Sequence, residues 1–137
     1  MLFAFGAGFL AAVSCGRGPS PRDVTIEFVG SVIEDDTSLV QKYLDLDAMA
    51  ARRMSEMSAD STVAFEQLKR QILSSLTGDG QTRAQWMKTT PVVDKQSIRG
   101  DSAQVELTFL DRAAGKVEYY KVFLRNTPQG WRVQYFE

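Results

Sequence analysis

The sequence predicts an α+β domain in which three helices pack on one face of a four-stranded antiparallel sheet. Two observations carry this. Between Asp23 and Leu76 the apolar residues recur three and four apart. After Pro91 they alternate every second position, with glycine or proline turn signals between the runs. A helical half followed by a stranded half is the chain order of helices set against a meander, not of alternating strand and helix units.

Taken in order, Ser20 before Pro21, with Asp23 three residues on, marks a helix start: a hydroxyl cap, proline in the first turn and an acid facing the helix dipole. Val24, Phe28, Val29, Val32 and Ile33 then form one apolar stripe, which Glu34-Asp35-Asp36 ends. Asp36 or Thr37 caps a short second helix through Leu39, Val40, Tyr43 and Leu44. Asp45-Leu46-Asp47 begins a further turn or helix running with Ala48 to Met54. A third helix is predicted from Ser61 to Leu76, with Phe65, Leu68, Ile72, Leu73 and Leu76 on one side. Gly78-Asp79-Gly80 closes it.

A weak first strand over Val92 to Arg99 turns at Gly100-Asp101. Ala103, Val105, Leu107 and Phe109 alternate with Gln104, Glu106 and Thr108, the pattern of a strand with one buried face. Ala114-Gly115 turns the chain into a third strand over Val117 to Arg125. Pro128-Gln129-Gly130 leads to the last strand, Trp131 to Phe136.

With 137 residues the chain fits one domain able to bury a core without disulfides. A formal charge of −1 argues against nucleic acid as a partner. The sequence has no histidine, which removes His-based triads and His-ligated zinc. One cysteine allows neither an intrachain disulfide nor a thiolate metal cluster. No cofactor or metal is implied.

From Leu2 to Val13 every residue is apolar or glycine, and no charge appears before Arg17. A run of this length falls short of the roughly 20 residues that span a bilayer but fits the hydrophobic region of a secretory signal. Leu10-Ala11-Ala12-Val13-Ser14-Cys15-Gly16 resembles the lipobox of bacterial lipoproteins. That resemblance implies a signal peptide over residues 1–14, removal of which leaves Cys15 as a lipidated N-terminus. It also implies a flexible tether over residues 15–21, and a membrane as partner through the lipid anchor. Gly16, where retained inner-membrane lipoproteins of the enterobacterial type carry Asp, favours the outer membrane, on its periplasmic side. The other readings of this segment are a plain cleaved signal or a buried N-terminal helix.

The strand carrying Tyr119-Tyr120, leading through a turn into Gly130-Trp131-Arg132-Val133, resembles the nuclear transport factor 2-like superfamily, over Asp23 to Glu137. The resemblance implies a curved sheet wrapped around helices with a conical pocket between. The hairpin that many members place between helices is not evident between Asp47 and Ser61. Enzymes of the superfamily use a pocket carboxylate or histidine. Here only carboxylates can serve, and Asp45 and Asp47 near Tyr43 are the candidates, their other reading being helix caps in water.

Tyr43, Trp86, Tyr120 and Trp131 are the candidate ligand-binding residues, because aromatics offer apolar area with a polar handle, though the same rings also fill cores. Tyr119, Phe123 and Tyr135 share strands with Lys121, Arg125 and Arg132. Turned outward, they suit a protein partner or a second copy in a dimer. The expectation is a non-enzymatic lipoprotein of the cell envelope that binds a small apolar ligand or another envelope protein. The alternatives are a pocket enzyme of isomerase or dehydratase type using a raised-pKa carboxylate, and a structural scaffold.

Overall fold

Helix α1 (Pro21–Ile33) opens on a reciprocal cap: the Asp23 amide donates to Ser20 Oγ and the Ser20 amide to the Asp23 carboxylate, each at 3.1 Å. The computed structural model describes residues 18–57 and 62–137. The apolar run, the expected cleavage site and Cys15 therefore lie outside the described residues, as does Ser61. Ser20 and Pro21, the last residues of the expected tether, are already the cap and first turn of the domain.

Val24, Phe28, Val29 and Val32 are buried as the stripe predicted, and Ile33 packs against them. The helix ends where Asp35 takes a left-handed conformation (φ 58°), and its carboxylate accepts from the Gly78 amide at 2.8 Å. Asp36 then caps α2 (Thr37–Tyr43), accepting from the Leu39 amide. Asp45 caps α3 (Leu46–Glu56), accepting from the Ala48 amide at 3.0 Å.

The helical half differs from the expectation of three helices. Five are present among the described residues, and the one expected from Ser61 is α4 (Phe65–Leu76). Residues 62–64 precede it without helical structure. Thr62 and Val63 are β-branched, which disfavours a helical start, and Val63 lies against the core. A fifth helix, α5 (Gln81–Met87), follows where no element was expected. It packs close under α4, since a Cβ at Gly80 would collide with the backbone of Ser74 and Ser75.

The second half is the predicted meander: β1 (Thr90–Arg99), β2 (Ser102–Asp111), β3 (Lys116–Thr127) and β4 (Gly130–Phe136), antiparallel and in chain order. Gly100, Gly115 and Gly130 have positive φ at the three turns. The face carrying Ala103, Val105, Leu107 and Phe109 is buried under the helices, together with Val122, Leu124 and Val133 from the neighbouring strands. The α+β class with a four-stranded antiparallel sheet is thus the observed architecture.

Both lateral edges of the sheet meet the chain itself. Leu44 pairs with Val133 of β4, and the Asp45 amide donates to the Val133 carbonyl at 2.7 Å. On the far side the register of β1 slips between Val93 and Gln96. There the Arg22 guanidinium donates to the carbonyls of Val93 (3.0 Å) and Asp94 (3.2 Å). Among the described residues no helix is long and apolar enough to cross a membrane.

Candidate functional site

The space between helices and sheet has two ends, and the four candidate aromatics divide between them. At one end Trp86, 1% exposed, stacks on Phe109 with ring centres 4.9 Å apart. Phe28 and Tyr120 meet its ring edge-on at 6.1 and 6.4 Å, and Phe136 closes a further side at 5.4 Å. This end is filled by side chains. Trp86 Nε1 has no hydrogen-bond partner among the described residues.

Tyr120 is half-buried there, its hydroxyl 3.4 Å from the Glu118 carboxylate, which also accepts two bonds at 3.0 Å from Gln85. Burial, and then the neighbouring Glu118 charge, push the Tyr120 hydroxyl pKa up. Outside the ring cluster lies a cleft of about 420 Å³ lined by Phe109 and Ala84 together with Gln85, Lys88, Lys116 and Glu118.

At the other end Tyr43 and Trp131 come together. The C-terminus of α2 and the turn into β4 approach the start of α1, leaving a cleft of about 460 Å³. Its apolar lining is Pro19, Val24, Tyr43 and Trp131, and its polar lining includes Lys42 and Arg132. The Lys42 ammonium sits 5.2 Å from the centre of the Tyr43 ring. Arg132 donates to the carbonyls of Leu44 (2.8 Å) and Gln41 (3.2 Å), which fixes its guanidinium against α2. Its Nε is buried and finds no partner among the described residues.

Lys42, which the sequence reading did not single out, and Arg132, which it grouped with the outward residues of the sheet, thus complete this cleft. Each stands beside a ring already singled out, in the pairs Lys42-Tyr43 and Trp131-Arg132, but Tyr120-Lys121 repeats that pairing at the packed end, so the pairing alone does not mark the cleft.

Asp45 and Asp47 line neither cleft. Asp45 is occupied as a helix cap, and Asp47 is exposed in an ion pair with Lys69 at 2.6 Å. The outer face of the sheet carries Val92, Val117 and Tyr119, the last 80% exposed, and Phe123 stacked on Tyr135 at 6.0 Å. The described residues contain no cluster of three acidic or cysteine side chains able to hold a metal ion.

No family model matches the chain, and no curated protein matches it either. Solved structures do. A Campylobacter jejuni protein named as an NTF2-like transpeptidase is similar with a TM-score of 0.52 and 20% identity, over 83% of this chain and 96% of the other. A phospholipid-binding protein from Ralstonia solanacearum, solved in complex with a phospholipid, is similar with a TM-score of 0.52 and 14% identity, over 83% and 73%. At such identities the likeness speaks to architecture alone. With helices on the inner face of a four-stranded meander and these structures superposing on most of its length, the chain has the nuclear transport factor 2-like fold.

Proposed function

We propose that this protein is a lipid-anchored component of the cell envelope whose domain binds, without transforming, a small amphiphilic ligand in the cleft between Tyr43 and Trp131. The observation that carries the binding reading is the composition of that cleft. Two half-buried aromatic rings and Val24 provide an apolar lining, while Lys42 and an Arg132 Nε without a partner supply cationic donors beside it. An acyl or other apolar group against the rings, with a carboxylate or phosphate toward the cations, matches this lining. The phospholipid held by the Ralstonia solanacearum protein supports the view that this architecture accommodates such a molecule. The anchor reading rests on the lipobox-like segment ending at Cys15, and with it the assignment to the periplasmic side of the outer membrane.

Two measurements test this. Mass spectrometry of the mature N-terminus, comparing wild type with Cys15→Ala, should find an acylated Cys15. An unmodified Cys15 in membrane fractions defeats the anchor. Extracts of the purified full chain should contain an amphiphile that is lost in Trp131→Ala and kept in Tyr119→Ala, a substitution on the outer sheet face. A ligand retained equally by both defeats the cleft.

A second reading, binding of a protein partner, is favoured by one observation. Val92, Val117 and Tyr119 leave apolar area exposed on the outer sheet face.

A further inference from the structure

The charged groups of the domain are distributed unevenly along α1. Its first turn adjoins the cleft with Lys42 and Arg132. Its last residue leads into Glu34, Asp35 and Asp36, which are held at the opposite end against Gly78. A helix of 13 residues sets these two ends about 20 Å apart. Acids at both ends are engaged, Asp23 and Asp45 in helix caps and Asp47 with Lys69 on one side, Asp35 with Gly78 and Arg83 and Asp36 as the α2 cap on the other, so the contrast rests on three consecutive acids at the far end against Lys42 and Arg132 at the cleft. The cationic end also carries two aromatic rings that are only half-buried, Tyr43 and Trp131.

Pro19, which lines this cleft, lies four positions from Cys15 in the sequence. Even fully extended, that stretch reaches no more than about 14 Å. An anchor at Cys15 therefore holds the cleft end of the domain within about 14 Å of the bilayer, and the acidic end beyond it.

We infer that the Tyr43–Trp131 end of the domain docks on the anionic surface of the bilayer that holds the chain's own anchor, with Trp131, Tyr43, Lys42 and Arg132 in the headgroup layer. Tryptophan and tyrosine rings settle at the membrane–water interface because they are apolar with one polar edge. Lysine and arginine beside them gain from the negative surface potential. The acidic Glu34–Asp36 corner, turned away, avoids that potential. This orientation rests on the anchor reading above, since an unanchored domain has no bilayer fixed next to Pro19.

The test uses the full chain with its native modification, reconstituted into vesicles of phosphatidylethanolamine and phosphatidylglycerol. The two tryptophans report different places, and the difference between wild type and Trp131→Phe isolates Trp131. Its emission should shift to shorter wavelength in vesicles and be quenched by lipids brominated near the carbonyl end of their acyl chains. Trp86, enclosed by Phe28 and Phe109, should remain unquenched. Lys42→Gln should move the docking equilibrium about fivefold toward the undocked state, the effect of one cation near an anionic surface.

Should Trp131→Phe fail to fold, slowed amide exchange over residues 41–43 and 129–131 in vesicles, relative to detergent, reads the same contact. A chain that floats with the vesicles while Trp131 stays unshifted and unquenched overturns the docking and leaves the anchor standing. A chain that does not float overturns both.

Discussion

Trp86 and Trp131 lie at opposite ends of the space between helices and sheet, and they differ in what covers them rather than in their local sequence. Trp86 is carried by α5, a short helix that presses it onto Phe109, while Phe28 of α1 and Phe136 of β4 close the remaining sides. Trp131 follows the turn glycine of the last hairpin and is met only by the end of α2 and the start of α1, which leave a cleft instead of a seal. One ring is a keystone of packing and the other is surface available to a ligand. The difference teaches that in this fold the placement of one seven-residue helix decides which end is closed.

The largest test of that contrast is Trp86→Ala, which should cost about 3–5 kcal/mol in urea unfolding, through lost burial and the cavity left behind. A loss near 1 kcal/mol would mean that the closed end is not tightly packed. Next is Arg83→Met. The Arg83 guanidinium reaches from α5 to the carbonyls of Val32 (3.0 Å), Ile33 (3.0 Å) and Gly78 (2.8 Å), and so ties α5 to the end of α1. Leaving those acceptors unpaired should cost about 1–3 kcal/mol, and amide exchange should accelerate first in α5. If exchange instead rises evenly over the sheet, the strut is not what seats that helix.

Trp131→Ala should cost less, about 1–2 kcal/mol, while abolishing retention of the co-purifying amphiphile. Equal destabilisation by the two tryptophan substitutions would erase the distinction between the ends.

Ser20→Ala, at the mouth of the cleft, should cost about 1 kcal/mol by removing the helix cap. It also carries a pH signature. The Ser20 amide and hydroxyl lower the Asp23 pKa, so their contribution is present above the ordinary carboxylate range. It fades as pH falls through the lowered value; since Ser20→Ala keeps the amide, the larger cause, and removes only the hydroxyl, the substituted chain should show a slightly flatter acid limb in pH-dependent unfolding. The smallest effect is expected at Tyr120. Its raised pKa means that its contribution holds below the ordinary tyrosine value and is lost as pH rises through the raised one, so Tyr120→Phe should flatten only the alkaline limb.

The meander was legible because its information is local. Alternation at Ala103, Val105, Leu107 and Phe109 fixes which face is inward, and a glycine at each turn fixes where the chain reverses. The start of α1 was legible for the same reason, through Ser20 and Asp23. Helix α5 was not, since it has a glycine at its cap position, no side-chain cap and a single buried residue, and so offers neither a cap signal nor a stripe. It forms because α4 and Arg83 hold it.

The site was legible in part. Tyr43 and Trp131 share a cleft across a long stretch of sequence, and Trp86 and Tyr120 share the packed end instead. Nothing at the sequence level separates these pairs, because burial of a ring depends on elements far along the chain. The caps formed by Asp36 and Asp45 were readable from position, and the cap at Asp45 accounts for why that carboxylate points at a backbone amide rather than into a cleft.

The partly occupied sheet edges have a consequence for association between copies. An open strand edge is the feature through which folded sheets join into fibrils. Here the α2–α3 junction takes the Val133 position of one edge and Arg22 takes the Val93 and Asp94 carbonyls of the other, so growth by strand addition is interrupted at those positions. A strand added along either edge would therefore have to displace a contact that the domain makes with itself.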